Sequence, residues 1–381
     1  ISHSVEGWSN LLVFPQFQRT KASFVTYFRN KRLIDEIDKN NFTRILTKIT
    51  MKTQLTVKAF TMIAILVAML SCQGYAQDGK TPTITKTFKL NEPGTLNSKS
   101  SGGGITVLSH NESEVEVQAF VRRNGKILSP SDPKLDDVLE NFDLEIERNG
   151  SVISANAKRK TNFSLFKNMG ISFTIIVPGE MSCNVSSSGG GLRISGVEGT
   201  HDFNSSGGSV ILENTAGTTR AKSSGGRVKA TNHMGDIHLS SSGGGVTLEE
   251  AQGSIYAHSS GGGVNLTDIH GEVEAGSSGG GVRISGECAY VKATSSGGSV
   301  RVNISNLSKE LYLKSSGGGV DAVIQNGDEL GLDLDLSSSS VKIDLQNFSG
   351  QSEKGRVKGA MNGGGIPVYM RSSGGSVKVR Y

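Results

Sequence analysis

The chain has 381 residues, enough for two or three ordinary domains, but its composition argues against them. Fifty glycines and an aromatic content of 6% leave few large side chains for a thick globular core. A stacked repeat avoids that limit, because each thin layer buries its apolar face against the next one. The net charge of +5 does not indicate nucleic-acid binding, because the excess of basic residues lies in positions 1–76.

The N-terminal part of the sequence indicates export. Residues 1–50 contain no methionine, and Met51 opens a stretch typical of a secretory signal peptide: two lysines, an apolar run, and small residues up to Ala76. We therefore predict a signal peptide over 51–76, cleaved before Gln77. Residues 1–50 are interpreted as upstream read-through or a non-native extension.

An alternative interpretation treats Cys72 as the lipidated cysteine of a lipobox, which would give the protein a lipid anchor in the membrane. Both interpretations place the exported chain in the periplasm, on the outer membrane surface or outside the cell. Removing residues 1–76 takes away ten Lys/Arg and four Asp/Glu and leaves a net charge of about −1. We therefore expect no nucleic-acid partner.

Residues 77–180 form a first predicted region, rich in β-structure. Apolar and polar residues alternate through 105–119, 142–157 and 171–177, which is the pattern of half-buried strands. Because an open end of a strand stack exposes unpaired backbone groups, we predict that this region caps the stack that follows.

The tetrapeptide Ser-Ser-Gly-Gly recurs every 18 residues from Ser187 to Ser295. It returns with looser spacing at Ser100, Ser315 and Ser372, and a second glycine keeps the same 18-residue period. This periodicity predicts an all-β fold, a parallel β-solenoid (β-helix) that is regular over 181–325. Residues 326–381 are predicted to form irregular C-terminal coils.

Within one repeat, Val246 and Leu248 form one inward pair and Ile255 and Ala257 another. The pattern predicts two short strands per coil, joined by turns in which glycine supplies positive φ. A hexapeptide helix is excluded, because it needs an aliphatic residue at every sixth position and polar residues occupy these positions after Val246. A calcium β-roll is excluded because the turns carry serine in place of aspartate.

Stacked coils bring equivalent side chains into columns, here called ladders. One outward ladder is predicted to contain Asp202, Arg220, His238, Tyr256, Glu274 and Lys292. The paired serines are predicted to form structural hydroxyl ladders along one edge.

Two further predictions concern cysteines and the chain end. Cys183 and Cys288 lie about six coils apart, too far for a disulfide, and are interpreted as small strand residues. The segment 377–381 is predicted to be an edge strand, with Lys378 and Arg380 outward as a protected terminus or as an edge for self-association.

The run 171–179, which leads into Val185-Ser-Ser-Ser-Gly-Gly-Gly191, resembles the bacterial putative-adhesin β-strand-repeat family, domain of unknown function 4097. The resemblance covers about Thr81 to Tyr381, and the signal peptide is similar to those of Bacteroidetes. It implies a β-solenoid with an envelope or surface location and implies no catalytic residues.

No motif for catalysis, cofactor binding or metal binding is recognisable. The histidines after residue 76 lack zinc spacing and are interpreted as exposed structural residues. These are His110, His201, His233, His238, His258 and His270. The densest acidic group, Asp328, Glu329, Asp333 and Asp335, is interpreted as a solvated strand face.

We therefore expect a non-enzymatic structural or adhesive envelope protein whose partner is a surface glycan or a protein. Two alternatives remain open at this point. One is a carbohydrate-active β-helix enzyme, in which clustered acids such as Asp333 would act, and the other is a scaffold that polymerises end to end.

Overall fold

The structure, a computed structural model, describes residues 81–90, 92–160 and 168–381. The predicted extension 1–50, the signal peptide 51–76 and Cys72 lie outside the described residues. The described part is all-β except for one short helix, α1 (Leu135–Leu139). No helix within it has the length and apolarity needed to cross a membrane.

Nine strands come before the regular repeat: β1 (Ile84–Lys89), β2 (Gly94–Ser100), β3 (Ile105–His110), β4 (Glu114–Arg123), β5 (Lys126–Ile127), β6 (Phe142–Asn149), β7 (Val152–Arg159), β8 (Met169–Pro178) and β9 (Met181–Ser187). Ten strands follow in the repeat: β10 (Leu192–Ser195), β11 (Glu198–Ser205), β12 (Val210–Ser223), β13 (Val228–Ser241), β14 (Val246–Ser259), β15 (Val264–Ser277), β16 (Val282–Ser295), β17 (Val300–Ser305), β18 (Glu310–Ser315) and β19 (Val320–Ile324). The last strands are β20 (Leu332–Ser337), β21 (Val341–Lys342), β22 (Phe348–Glu353), β23 (Arg356–Met361), β24 (Ile366–Ser372) and β25 (Val377–Arg380).

The repeat builds a long stack of parallel strands. Val210, Val228, Val246 and Val264 are successive Cα partners, so neighbouring strands are offset by 18 residues, as the periodicity predicts. We call each level of this stack a layer. Inward aliphatic side chains of all layers join one buried cluster, and each larger one contributes about 1.5–3 kcal/mol when fully buried.

The first serine of each Ser-Ser-Gly-Gly is buried and connects neighbouring layers. Ser259 Oγ donates to the Gly244 carbonyl of the preceding layer at 2.7 Å and accepts from the Gly262 amide at 3.0 Å. The same two bonds recur in the other layers, for example at Ser277. The serines therefore bond to glycine backbone rather than to each other, which corrects the predicted hydroxyl ladders and explains the conserved spacing within the chain. Their column extends beyond the segment 181–325, to Ser100 at one end and Ser372 at the other.

The glycines of this signature are needed because adjacent layers approach closely. A Cβ atom on Gly262 would lie 2.6 Å from the Gly245 nitrogen and 2.8 Å from the Gly244 carbonyl carbon. Positive φ occurs instead at the second periodic glycine, for example +133° at Gly253. The prediction that turn glycines supply positive φ is therefore confirmed at the second periodic glycine and wrong for the glycines of Ser-Ser-Gly-Gly, which packing between layers selects.

The structure also differs from the prediction of two short strands per coil. In β12–β15 the strand continues through the second glycine, and in β16 it continues through Ala289 at the same position, so each of these layers carries one strand of 14 residues. The alternation of buried and exposed side chains is interrupted once within the strand. Leu248 and Ala251 are both buried although they are three residues apart, an odd spacing that would otherwise place them on opposite faces. Glu250, between them, has a left-handed φ of +56°, which shifts the alternation by one residue.

This left-handed corner recurs in other layers, with φ between +53° and +60° at Asn214, Asn232, Asp268 and Asn306. Asn232 Nδ2 donates to Asn214 Oδ1 of the preceding layer at 2.8 Å. Asparagine and aspartate tolerate this conformation better than other L-residues, so glutamate is the least suited residue at the corner.

Glu250→Asn is therefore expected to raise the free energy of unfolding by about 0.5–1 kcal/mol, through relief of backbone strain. Urea denaturation followed by circular dichroism would measure the change. Gln252→Asn, at an exposed neighbour without positive φ, is the matched control and should give no gain. Equal stability of the two variants would contradict this explanation.

At the N-terminal end of the stack, a segment that comes first in the sequence lies between two segments that follow it in the sequence. Strand β2 pairs in parallel with β7 and β9, and β3 pairs in parallel with β8 and β10. The layer formed by β2 and β3 therefore separates strands that follow it in sequence. Antiparallel strands β1, β4 and β6 add to this end.

The C-terminal end has the same arrangement. Strand β24 lies between β18 and β20, and β25 lies between β19 and the two residues of β21. The sequence predicted that the segment 377–381 is an edge strand. That prediction was wrong for Val377 and Lys378, because Val341 and Lys342 pair with them on the side away from β19. The antiparallel hairpin of β22 and β23 extends the sheet beyond β20.

Cys183 and Cys288 are buried free thiols, as predicted from their separation. Burial raises the pKa of each thiol to about 12. Both side chains therefore act as small apolar residues of the core and remain protonated at neutral pH.

Candidate binding face

The predicted outward ladder is present in the stack. Successive Cα partners run from Asp202 through Arg220, His238, Tyr256 and Glu274 to Lys292. It continues to two further tyrosines that the sequence analysis did not identify, Tyr312 and Tyr369. The signature itself could have located them, since each stands three residues before its serine, as Tyr256 does before Ser259.

Aromatic rings stack on each other at two places along this ladder. His238 and Tyr256 have ring centroids 4.1 Å apart, and Tyr312 and Tyr369 have centroids 4.8 Å apart. Tyr256 remains 40% exposed despite its contact with His238. Each stacked pair contributes about 0.5–1.5 kcal/mol and fixes ring orientation at the surface.

Carboxylates beside the rings are held by lysines. Glu274 lies 3.3 Å from Lys292 Nζ and accepts a hydrogen bond from the Tyr290 hydroxyl at 3.4 Å. The hydrogen bond that Lys292 Nζ donates to Glu274, together with the charge of Glu274, raises the pKa of Lys292. Glu272, two residues before Glu274 in the same strand, pairs with Lys309. Within the ladder, Glu274 and Lys292 form an ion pair, whereas the Asp202 carboxylate accepts a hydrogen bond from the Asn204 side-chain amide.

An open groove of about 560 Å³ lies along the part of the ladder from Asp202 to Glu274. We call its outward surface the aromatic face and define it by Arg220, His238, Tyr256, Glu274 and Tyr290. The face combines exposed ring edges with charged and hydroxyl groups on a regular parallel sheet. Such a surface offers stacking and hydrogen bonds to an extended polar ligand.

Two histidines beneath this face are buried, which corrects the expectation that all six are exposed. His201 is 2% exposed, and both of its ring nitrogens lack a hydrogen-bond partner. His233 is 1% exposed and bonds to Thr215 Oγ1 at 2.9 Å through Nδ1. Burial lowers the pKa of His201 to about 4 and also lowers that of His233. Both rings are therefore neutral at pH 7.

Acid is expected to destabilise the stack through His201. The unfolded chain binds a proton near pH 6.5, whereas the folded chain resists it down to about pH 4, so stability falls as pH decreases through this interval. We expect a loss on the order of 2 kcal/mol from this group, seen as a lower urea midpoint at pH 4.5 than at pH 7.

His201→Ile provides the comparison, since Ile237 holds the equivalent position two layers away. As pH falls, the free energy of unfolding of the native protein should decrease more than that of His201→Ile. A gap that is the same at pH 7 and pH 4.5 would contradict the role of His201.

The remaining histidines lie apart from one another. His110 contacts the Glu114 carbonyl, and His270 lies 3.7 Å from Glu287. His238 and His258 occupy different ladders. Within the described residues no group of three or more His, Cys, Asp or Glu side chains is arranged to hold a metal ion.

Of the acidic group near the C-terminal end, Asp333 and Asp335 lie on strand β20 as predicted, whereas Asp328 and Glu329 lie in the turn before it. Leu332, Leu334 and Leu336 are buried, whereas Asp333 is exposed. Asp333 Oδ2 accepts a hydrogen bond from the Gly365 amide at 3.0 Å, which gives this carboxylate a structural contact.

Comparisons with known proteins give only weak likenesses. No protein-family model and no curated protein matches this chain. Solved structures of a putative adhesin from Parabacteroides merdae and one from Bacteroides fragilis share 10% and 12% identity with it. Each match covers 78% of this chain and 96% of that chain, with TM-scores of 0.36 and 0.30. A putative cell adhesion protein from Clostridium sporogenes has 11% identity, with 78% of this chain and 97% of that chain covered, and a TM-score of 0.19.

Proposed function

We propose that this chain is a non-enzymatic exported protein that binds a surface glycan through the aromatic face. In this proposal the stacked layers are coils of a β-solenoid, and the chain belongs to the β-strand-repeat family that its sequence resembles. The predicted signal peptide supports a location in the periplasm, on the outer membrane surface or outside the cell.

The observation that carries the proposal is the stacked pair His238 and Tyr256 in an open groove. Sugar rings have an apolar face that packs on an aromatic ring and hydroxyl groups that need partners. Arg220, Glu274 and the Tyr290 hydroxyl provide donors and acceptors beside the rings. Because the strands rise by one layer every ~4.8 Å, the groove can follow an extended chain over several layers.

The contacts of Glu272 and Glu274 favour binding over hydrolysis. A glycoside hydrolase needs one acid to donate a proton and a second to act as base or nucleophile. Glu272 and Glu274 are each paired with a lysine, and Tyr290 also bonds to Glu274. These contacts give both groups a structural role in holding neighbouring layers together.

A glycan array probed with residues 77–381 would test the proposal. Tyr256→Ala is expected to weaken binding of the selected glycan at least tenfold, since it removes the exposed ring. Met234→Ala is the matched control, because Met234 is 61% exposed and lies outside the groove. The selected glycan should also be incubated with the protein and analysed for shortened products.

Full retention of affinity in Tyr256→Ala would show that the aromatic face is not the binding surface. Absence of binding to every glycan would reject the ligand class, and released sugar products would reject the non-enzymatic role.

A further inference from the structure

A second outward ladder, formed by the first half of each layer, contains several basic residues. Arg193, Lys229, Arg283 and Arg301 all lie on it, and Arg283 and Arg301 are direct neighbours in adjacent strands. This ladder is separate from the aromatic face, since no residue is shared between the grooves that the two ladders line.

The first two of these basic residues pair with an acid by a common rule. Arg193 Nη1 lies 3.0 Å from Glu213, and Lys229 Nζ lies 2.9 Å from Glu249. In both cases the acid is in the next layer, two residues further along the strand than the direct neighbour. The rule predicts where an acid should stand for any basic residue on this ladder.

Arg283 and Arg301 lack that acid. The diagonal positions in their next layers hold Asn303 and Val323, neither of which carries a charge. Asp321 is the direct neighbour of Arg301, but its carboxylate bonds to Arg380 Nη2 at 2.8 Å. Among the described residues, no ion pair forms to Arg283 or Arg301.

Two adjacent guanidinium groups without an acid repel each other across the strands. Both side chains are exposed, and both line a groove of about 300 Å³. Uncharged hydrogen-bonding side chains, including Asn265, Thr267 and Asn303, line the same groove. An anionic group bound between the two arginines would take the place of the missing diagonal acids.

We propose that Arg283 and Arg301 form a binding site for the sulfate or carboxylate groups of an acidic polysaccharide. The planar guanidinium group matches such oxyanions through two parallel hydrogen bonds. The polar side chains around the arginines supply partners for sugar hydroxyls, and the groove is open enough for a chain to pass. Nucleic acid is a poorer fit, because the aromatic residues needed for base stacking are absent from the lining of the groove.

The test uses residues 77–381 and two double variants with the same change in net charge. Arg283→Gln/Arg301→Gln removes the proposed site, and Arg193→Gln/Lys229→Gln removes two basic residues of the same ladder that already have acid partners. Binding of heparin, polygalacturonate, neutral dextran and a DNA oligonucleotide would be measured by calorimetry at several salt concentrations.

The native protein should bind heparin or polygalacturonate, with affinity falling as salt rises, and should not bind dextran. Arg283→Gln/Arg301→Gln should lose at least tenfold in affinity, whereas Arg193→Gln/Lys229→Gln should change it less than twofold. If both variants lost the same affinity, binding would depend on net charge alone, and the proposed site would be rejected. No binding to either acidic polysaccharide would reject it as well, and DNA binding of equal strength would reject the ligand class.

This site goes beyond the proposed function and can fail separately from it. Tyr256→Ala should leave heparin binding unchanged, because the tyrosine lies on the other ladder. Heparin binding that depends on Tyr256 and not on the arginines would overturn this inference while supporting the aromatic face.

Discussion

Gly262→Ser is expected to lower the free energy of unfolding by about 3 kcal/mol, a large loss for a surface turn. The new Cβ atom would lie 2.6 Å from the nitrogen and 2.7 Å from the Cα atom of Gly245, so the backbone of two layers must separate. Ser259, whose hydroxyl accepts from the Gly262 amide, would lose part of its contact as well. Urea denaturation monitored by circular dichroism measures the loss.

Gly263→Ser is the matched control, one residue further along the same turn. The equivalent position holds Ser209, Arg227 and Ser299 in other layers, so a side chain is accepted there. The expected change is within about 0.5 kcal/mol. If the two variants were equally stable, close approach between layers would not be the reason for the glycines.

The register of the stack could be predicted from the sequence because an 18-residue period fixes which residues are neighbours. The inward valines and the outward ladder from Asp202 to Lys292 follow directly from that period. The buried state of His201 was accessible by the same logic, since it precedes the outward residue Asp202. His233 was harder, because the left-handed corner at Asn232 changes the parity of the strand.

The order of layers at the two ends could not be predicted. Ser100 and Ser372 carry the same signature as the regular repeats, which shows that their segments join the stack. Their position in it depends on which neighbouring strand edges are left unpaired by segments distant in sequence. The aromatic face was predicted as a ladder, but its pairing of His238 with Tyr256 depends on side-chain orientation that the period does not specify.

Deletion of residues 366–381 is expected to unfold everything C-terminal to the layer of β18 and β19. The deletion removes β24 and β25, through which β20 and β21 join the stack. It also removes the buried side chains of Val368, Met370, Val377 and Val379. At about 1.5–3 kcal/mol for each buried aliphatic side chain, the loss is on the order of 6–12 kcal/mol. Limited proteolysis with mass spectrometry should then show cleavage from about residue 326 onwards and protection of earlier layers.

A pair of point variants separates this inserted position from a terminal edge strand. Met370→Asp places a charge in the core between β18 and β20 and should release the same C-terminal segment to protease. Arg371→Asp changes the neighbouring exposed residue of the same strand and should leave the cleavage pattern of the native protein. If β24 were instead an edge strand, it would detach without affecting other strands. Met370→Asp would then expose only the residues after 366 to the protease. Protection of residues 332–361 in Met370→Asp would therefore contradict the inserted arrangement, because those residues reach the core of the stack through β24.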